Sequence, residues 1–436
     1  MKKILLILFM VAMVSTLYAQ DTLSLSKTEF LEKVSINNQQ ARITEKQAAM
    51  AQADYQQSNA LFLPTVTASY TAMTTNNPLM AFGSKLNQEI LTQQDFNPAL
   101  LNDPDNVENY ATEIMVLQPL LNLDGVYGRT AAKIQKEAYQ LKAERTKEYL
   151  QFEATKQYMQ LQLAYKAVEV LERAELTVNE AVRMITDYYD QGLVQKADVL
   201  DVMVRANEVK SQLQYARSNV QNASDQILIL MGQESGSFIL KPEGQPPLEY
   251  VSESYLIVLP QNRKDLMAMA KVVDGYQNML KSSKMKFVPR INAFGSFQIY
   301  DNQPLGFDAN GYILGAKLSW NIFSGYANVA KTTKTRLEME KATLEQKEYQ
   351  LKQQAELSRA NRLLTDVEHK VELSQVAFEQ ASESFKIRKD RFEEGLEKTV
   401  DLLSAESQKY QKELQLQQAI FEYNYTKEYL QFLTRE

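Results

Sequence analysis

Two long stretches of the chain carry a helical pattern of apolar and polar positions that nothing interrupts. Arg129 to Gln191 and Tyr326 to Glu394 contain neither glycine nor proline, 63 and 69 residues in turn. At 1.5 Å per residue these predict helices of roughly 95 and 104 Å. In the first, Ala154, Tyr158, Leu161, Tyr165 and Val168 follow a 4-3-4-3 spacing, the seam of a packed helix. Met159, Leu163 and Val170 form a second apolar flank, so this helix has neighbours on both sides. Each run ends at one glycine, Gly192 or Gly395, and a shorter helical run follows: Leu193 to Met231, and Leu396 to the C-terminus.

Elsewhere the period drops to two. Helical stretches at Ser26 to Ala60 and Gln261 to Lys286 lead into "LFLPTVTASYTAM" and "KFVPRINAFGSFQIY". Pro289, Ile291, Ala293, Gly295, Phe297 and Ile299 share one face of the second segment; Pro64, Val66, Ala68, Tyr70 and Ala72 share the matching face of the first. In "YILGAKLSWNI", Tyr312, Leu314, Ala316, Leu318, Trp320 and Ile322 point one way and Gly315, Lys317, Ser319 and Asn321 the other. That is about the length of a tilted membrane strand. Its partner, Tyr110 to Leu121, alternates less cleanly, with Gln118 on the apolar side.

The pattern is a duplication with an offset of 203 residues. Asp187 matches Asp390, Gly192 Gly395, Leu193 Leu396, Asp198 Asp401, Leu200 Leu403 and Leu213 Leu416, without a gap. The strand-to-helix corner repeats as "LDGVYG" at 123 and "FSGYAN" at 323. The expected organisation is a signal peptide over 1–19 and a first repeat over 20–231, with strands near 61–73 and 110–122, a long helix near 125–191 and a turn at 192. A linker over 232–260 follows, irregular because of its three glycines and four prolines, with a short strand at Phe238 to Leu240. The second repeat covers 261–436, with strands near 287–300 and 312–323, a long helix near 325–394 and a turn at 395. The segment joining the two strands is long and polar in the first repeat and short, "DNQPLGFDANG", in the second.

Composition agrees. Ordinary usage is about 7% glycine and 5% proline; this chain has 14 Gly and 11 Pro in 436 residues. Met1-Lys2-Lys3, the apolar run Ile4 to Leu17 and Ala19 before Gln20 read as an export signal. Net charge is −6, or −8 once Lys2 and Lys3 are removed, and no basic block offers a surface to nucleic acid. Catalysis finds no support. There is no cysteine, the one histidine, His369, sits inside a long helix, and neither a metal-ligand spacing nor a phosphate-binding glycine loop occurs. No enzyme activity and no cofactor are expected.

In its two repeats, its proline-marked entries into strands, its "DG" and "SG" corners, and its "GL…DVL" and "GL…DLL" turns, the chain resembles the TolC-type outer-membrane efflux channel family. "RKDL" at 263–266 is similar to the family's R-x-D-L at the start of the second repeat. The likeness covers nearly the whole mature chain. It implies a mostly α fold with a membrane β-barrel portion: a homotrimer whose 12-stranded β-barrel continues as a long α-helical barrel. Elementary physics agrees that one chain is not enough, because four strands cannot close a barrel and an open edge in lipid leaves backbone groups unpaired. The implied function is the exit duct of a tripartite efflux or secretion system in the outer membrane of a Gram-negative bacterium. It would work with a periplasmic adaptor and an inner-membrane pump of RND or ABC type. The other readings are a secreted coiled-coil structural or adhesive protein, which leaves the four strands unexplained, and a periplasmic adaptor, which should show one hairpin only.

The resemblance also implies roles. Gly192 and Gly395 would mark the tip turns, and Leu193 and Leu396 the adaptor contacts, unless those leucines pack under their own turns. Asp198, Asp201 and Asp401 would narrow the pore; the alternative is that they are helix-start residues favoured by capping and the helix dipole. Tyr189 would help close the tip, where its counterpart Phe392 has no hydroxyl. Ser404 and Glu397 depart from the family pattern. Tyr312 and Trp320 fit an interfacial aromatic girdle, with Lys317 on a wet face opposite.

Overall fold

The structure is a computed structural model that describes residues 22–236, 238–244 and 258–435. The signal peptide and the middle of the 232–260 linker lie outside these residues. In chain order the elements are β1 (Thr22–Leu25), α1 (Lys27–Asn37), α2 (Gln39–Gln57), β2 (Thr65–Thr75), α3 (Pro78–Asn87), α4 (Pro98–Asn102), β3 (Val107–Leu121) and α5 (Leu123–Asp190). Then come α6 (Lys196–Leu230), β4 (Ile239–Pro242), α7 (Lys264–Met285), β5 (Arg290–Asp301), β6 (Ala309–Ser319), α8 (Ala327–Glu393) and α9 (Thr399–Thr434).

The chain forms two compact units that cut across the duplication. One is drawn from residues up to Lys46, Lys142–Leu266 and Tyr349 onward, the other from Gln47–Leu141 and Met267–Glu348. Each unit therefore takes material from both repeats.

The second unit is organised by a four-stranded antiparallel sheet of order β2-β3-β5-β6. The strands differ from the sequence boundaries at their ends. A 3-10 turn over Ser58–Leu61 and then Pro64, which has no N–H to give a ladder, delay β2 until Thr65. At its other end, β6 loses its partner after Ser319, which pairs with Arg290, so Trp320 to Phe323 lie beyond the strand. The corners into the long helices also differ. Asn122 caps α5 by accepting from the Gly125 amide at 3.2 Å, so Gly125 and Gly128 are helical. In the second repeat Gly325 and Tyr326 stand at φ +59° and +63°, and α8 starts only afterwards.

The first unit is a helical bundle. The predicted helix over Ser26 to Ala60 is broken at Asn38, whose Oδ1 accepts from the Gln40 and Ala41 amides at 2.9 and 3.1 Å and so starts α2. Its Nδ2 donates to the Leu230 carbonyl at the end of α6. The α5 seam is buried: Ala154, Tyr158 and Leu161 pack with Phe30, Val34, Ile227 and Leu240. Fully burying a side chain such as Leu161 contributes roughly 1.5–3 kcal/mol. The Tyr158 hydroxyl lies 3.0 Å from the Leu25 carbonyl and 2.8 Å from that of Glu243, tying α5 to the parallel pair β1–β4. A second core gathers Leu259, Leu266, Leu357, Ala360, Leu430 and Leu433.

Candidate functional site

Register fixes what each side of the sheet carries, because opposed residues on neighbouring strands share a face. Val66 opposes Val116 and Ala68 opposes Ile114; those two oppose Gly295 and Phe297, which in turn oppose Leu314 and Tyr312. Gln118 opposes Ala293, a polar break in this apolar face near the base of the sheet. It donates to the Phe62 carbonyl at 3.0 Å, so its amide is not left unpaired. The other face is mixed: it carries Ser69, Glu113, Asn292, Ser296, Gln298 and Lys317 beside Met115, Leu117, Phe294 and Ile313, with Gln298 donating to Glu113 at 2.9 Å. Apolar residues on the first face are exposed, Leu314 at 75%. Soluble sheets bury such a face.

The outer edges of β2 and β6 have no strand partner among the described residues. Tyr312 lies near the start of β6 and Trp320 just past its end, so the two sit at opposite ends of the strand. Trp320 is 56% exposed, which excludes an ordinary core role, and its Nε1 donates to the Phe287 carbonyl at 2.9 Å. Tyr70 and Tyr110, on the apolar face, stack at 6.4 Å near the same end as Tyr312.

The glycine turns belong to the helical unit. Gly192 and Gly395 both stand at φ +73°. The Gly192 and Leu193 amides donate to the carbonyls of Tyr189 and Tyr188, and those of Gly395 and Leu396 to Phe392 and Arg391. This is the Schellman pattern, in which a left-handed residue lets the chain satisfy the last helical carbonyls as it leaves the helix. Beneath the turns, Ile185, Val199, Val202, Phe385, Phe392, Leu402 and Ala405 form one core that joins the ends of α5 and α8 to the starts of α6 and α9.

A family profile described as outer membrane efflux protein matches residues 30–233 and 258–433. The chain belongs to the outer membrane efflux protein family. The TolC-type likeness carried by its corners and turns is therefore shown, and the family is one of channels rather than enzymes. No curated protein sequence matches the chain. Among solved structures it is similar to a membrane protein from Pseudomonas aeruginosa, at 16% identity and TM-score 0.80, covering 93% of this chain and 92% of that one. The Campylobacter jejuni CmeC outer membrane channel gives 12% identity and TM-score 0.82 over 94% and 85%. The Vibrio cholerae outer membrane protein VceC gives 14% and 0.78 over 93% and 94%. At these identities the likeness concerns the fold: a mostly helical chain whose four-stranded sheet does not close a barrel alone. No described helix is long and apolar enough to cross a membrane, which says nothing of a β-barrel.

Within this efflux-family fold, the residues singled out by sequence are placed as follows. Leu193 and Leu396 are 67% and 66% exposed, so neither is tucked under its turn. Asp198 is the third residue of α6 and accepts from the Gln195 amide at 2.9 Å. Asp201 is exposed one turn later. Asp401 holds the corresponding place in α9, with no side-chain hydrogen bond among the described residues. Tyr189 is partly exposed; the contact between the two turns comes instead from its neighbour Tyr188, whose ring packs on Phe392 at 5.8 Å and whose hydroxyl donates to the Glu393 carbonyl. Phe392 itself is core.

Glu397 stood out in the sequence as a departure from the family pattern, but its partners and the charged pairs further along were missed. Glu397 accepts from Arg388 at 2.7 Å and from Arg391 at 2.8 Å, a clamp across the second turn. The first turn has Ile185, Tyr188 and Val194 at the matching positions. Further along, Arg205 pairs with Glu406 and Arg173 with Glu413. The available signal was Glu406 and Glu413 standing in line with Leu402, Tyr410 and Leu416, acidic residues in an apolar seam. Burial pushes the Glu406 carboxyl up and the Lys409 ammonium down.

Proposed function

We propose that three copies of this chain close a twelve-stranded barrel and form the exit duct of a tripartite efflux or secretion system in the outer membrane. The observation that carries this reading is the sheet with one exposed apolar face and two unpartnered edges, β2 and β6. Lipid has no water to satisfy such edges, so they must meet strands of other copies. The spacing of Tyr312 and Trp320, eight residues or about 26 Å along a strand, spans about 20 Å of height at a tilt of about 40°, most of the ~25 Å apolar band of outer-membrane barrels. The outward leucines Leu193 and Leu396 are then the surface offered to a periplasmic adaptor bound to an RND or ABC pump. Asp198, Asp201 and Asp401 narrow the passage beside those turns. A coiled-coil adhesive or structural protein would have no use for the two-faced sheet.

The test is face-selective substitution with assembly as readout. Arg at Leu314 or Leu318 should weaken the trimer by about 2–4 kcal/mol where the site lies near the bilayer midplane. Arg at Ser319, on the polar face, should be tolerated. A protein that stays monomeric in detergent, or tolerates Arg equally on both faces, is not this duct.

A further inference from the structure

The segment joining β2 to β3 is folded, and it lies on one particular side of the sheet. Asn77 caps α3 by accepting from the Met80 amide, with Pro78 in the first turn. Phe82 meets Phe96 edge-on at 5.7 Å, and Lys85 binds Asp95 at 2.7 Å. The Lys85 bond, with the Thr92 amide, holds the Asp95 carboxyl down to about 2, so the pair persists at any physiological pH. The inner stripe of α3, Ala81, Ser84 and Gln88, is buried. Gln88 Nε2 lies 2.8 Å from the Glu108 carbonyl, 2.9 Å from Asn109 Oδ1 and 3.2 Å from the Asp301 carbonyl, pinning α3 to the end of the sheet away from the starts of α5 and α8.

The side decides the meaning. Residues buried at this end include Val107, Asn109 and Ala309. By strand alternation they share the face of Glu113, Gln298 and Lys317, not that of Leu314. The cap thus covers the polar face, which is the interior of the duct. Its own outer stripe is Leu79, Gly83 and Leu86; Leu79 is 81% exposed, and a Cβ at Gly83 would have nothing within 4 Å. A mid-helix glycine is unfavourable relative to alanine, and this one leaves room for a close neighbour that the described residues do not supply.

We infer that residues 76–106 form an inward cap at the outer mouth of the duct, where the Leu79–Gly83–Leu86 stripes of three copies meet and set the size of solute that can leave. This rests on the trimeric-duct reading above. Replacing 76–106 by the short connection of the second repeat, residues 302–308, should leave a trimer whose single-channel conductance rises about two-fold or more. Larger polyethylene glycols should then enter it. Gly83→Trp, at a position where an added Cβ meets nothing within 4 Å, should lower conductance and serves if the shortened chain does not assemble. In a chain without native cysteine, Leu79→Cys should form disulfide-linked species within the trimer on oxidation. Unchanged conductance and exclusion in both variants, with trimers intact, overturns the cap and leaves the duct standing. A wild-type chain that forms no channel in bilayers overturns the duct and the cap together.

Discussion

Arg205 Nε on α6 donates to Glu406 Oε2 on α9 at 2.8 Å, and the two side chains keep only 12% and 3% of their surface exposed. The second oxygen, Oε1, is buried without a partner among the described residues. Lys409 and Glu208 are the other charges that act on it. Burial outweighs Arg205, so the folded-state pKa of Glu406 lies above the ordinary 4.5. A raised carboxyl stabilises the fold fully below its unfolded value, and the contribution is lost as pH rises through the folded one. The melting temperature of wild type minus that of Glu406→Gln should therefore fall as pH rises above the ordinary carboxylate range. Glu406→Leu alone should cost about 3–5 kcal/mol by stranding Arg205, and Arg205→Met in the same chain should restore much of it. Additive losses in that double mutant would mean the pair is not coupled.

Arg263 is fully buried and binds both oxygens of Asp265 at 2.7 Å, Gln353 at 2.6 Å and the Leu433 carbonyl at 3.1 Å. The "RKDL" motif is thus a staple that fixes the start of α7 to α8 and to the end of α9. Burial pushes Asp265 up, but the hydrogen bonds from Arg263 and Tyr349 outweigh it, and the net value lies below the ordinary 3.8. Such a group stabilises above its unfolded pKa, and the contribution disappears as pH falls through the folded one. Acid unfolding below about pH 4 should be less steep in Asp265→Asn than in wild type. Tyr349, pushed up to about 12 by burial and by Asp265, has the opposite sign. Its contribution should be lost between pH 10 and 12, and Tyr349→Phe should flatten that alkaline arm. Arg263→Ala should cost about 3–5 kcal/mol.

The large architecture was legible because helix and strand leave different periods in the chain. Ala154, Tyr158 and Leu161 announced a buried seam, and the alternation from Tyr312 to Leu318 announced a two-faced strand. What could not be read was set by tertiary partners. Asn38 breaks a helix because its side chain caps the next one while reaching Leu230. Tyr188 rather than Tyr189 crosses to the second turn because Phe392 fills the core between them. The fold of 76–106 depends on Gln88 finding backbone carbonyls on β3 and β5, 20 and 213 residues away.

The two turn glycines should respond alike to substitution, and a third should respond more. Gly192 and Gly395 share φ +73°, and an added Cβ would meet nothing within 4 Å, so alanine costs only the left-handed backbone term, about 1–2 kcal/mol. Asparagine, which tolerates this region, should cost less. Gly232 has φ +71°, but its Cβ would stand 2.7 Å from the Asn37 carbonyl. Gly232→Ala should therefore be the worst of the three in thermal denaturation. Equal losses at all three sites would show that contact adds nothing at Gly232.

The aspartates beside the turns separate by the bonds they already hold. Asp198 is committed to the Gln195 amide, whereas Asp401 has no such bond in the structure. If both line a constriction, they concentrate cations and repel anions there. Asp401→Asn should weaken cation selectivity in planar bilayers while changing stability by less than about 1 kcal/mol, the scale of a first-turn helix-dipole contact. Asp198→Ala should lose selectivity and also about 0.5–2 kcal/mol, because it removes the group that satisfies the start of α6. Asn at both positions should exceed either change alone, since matching positions in the two repeats would act on one passage. Should the double variant conduct with unaltered selectivity and unaltered block by polyvalent cations, Asp198 and Asp401 are helix-start residues and do not line the passage.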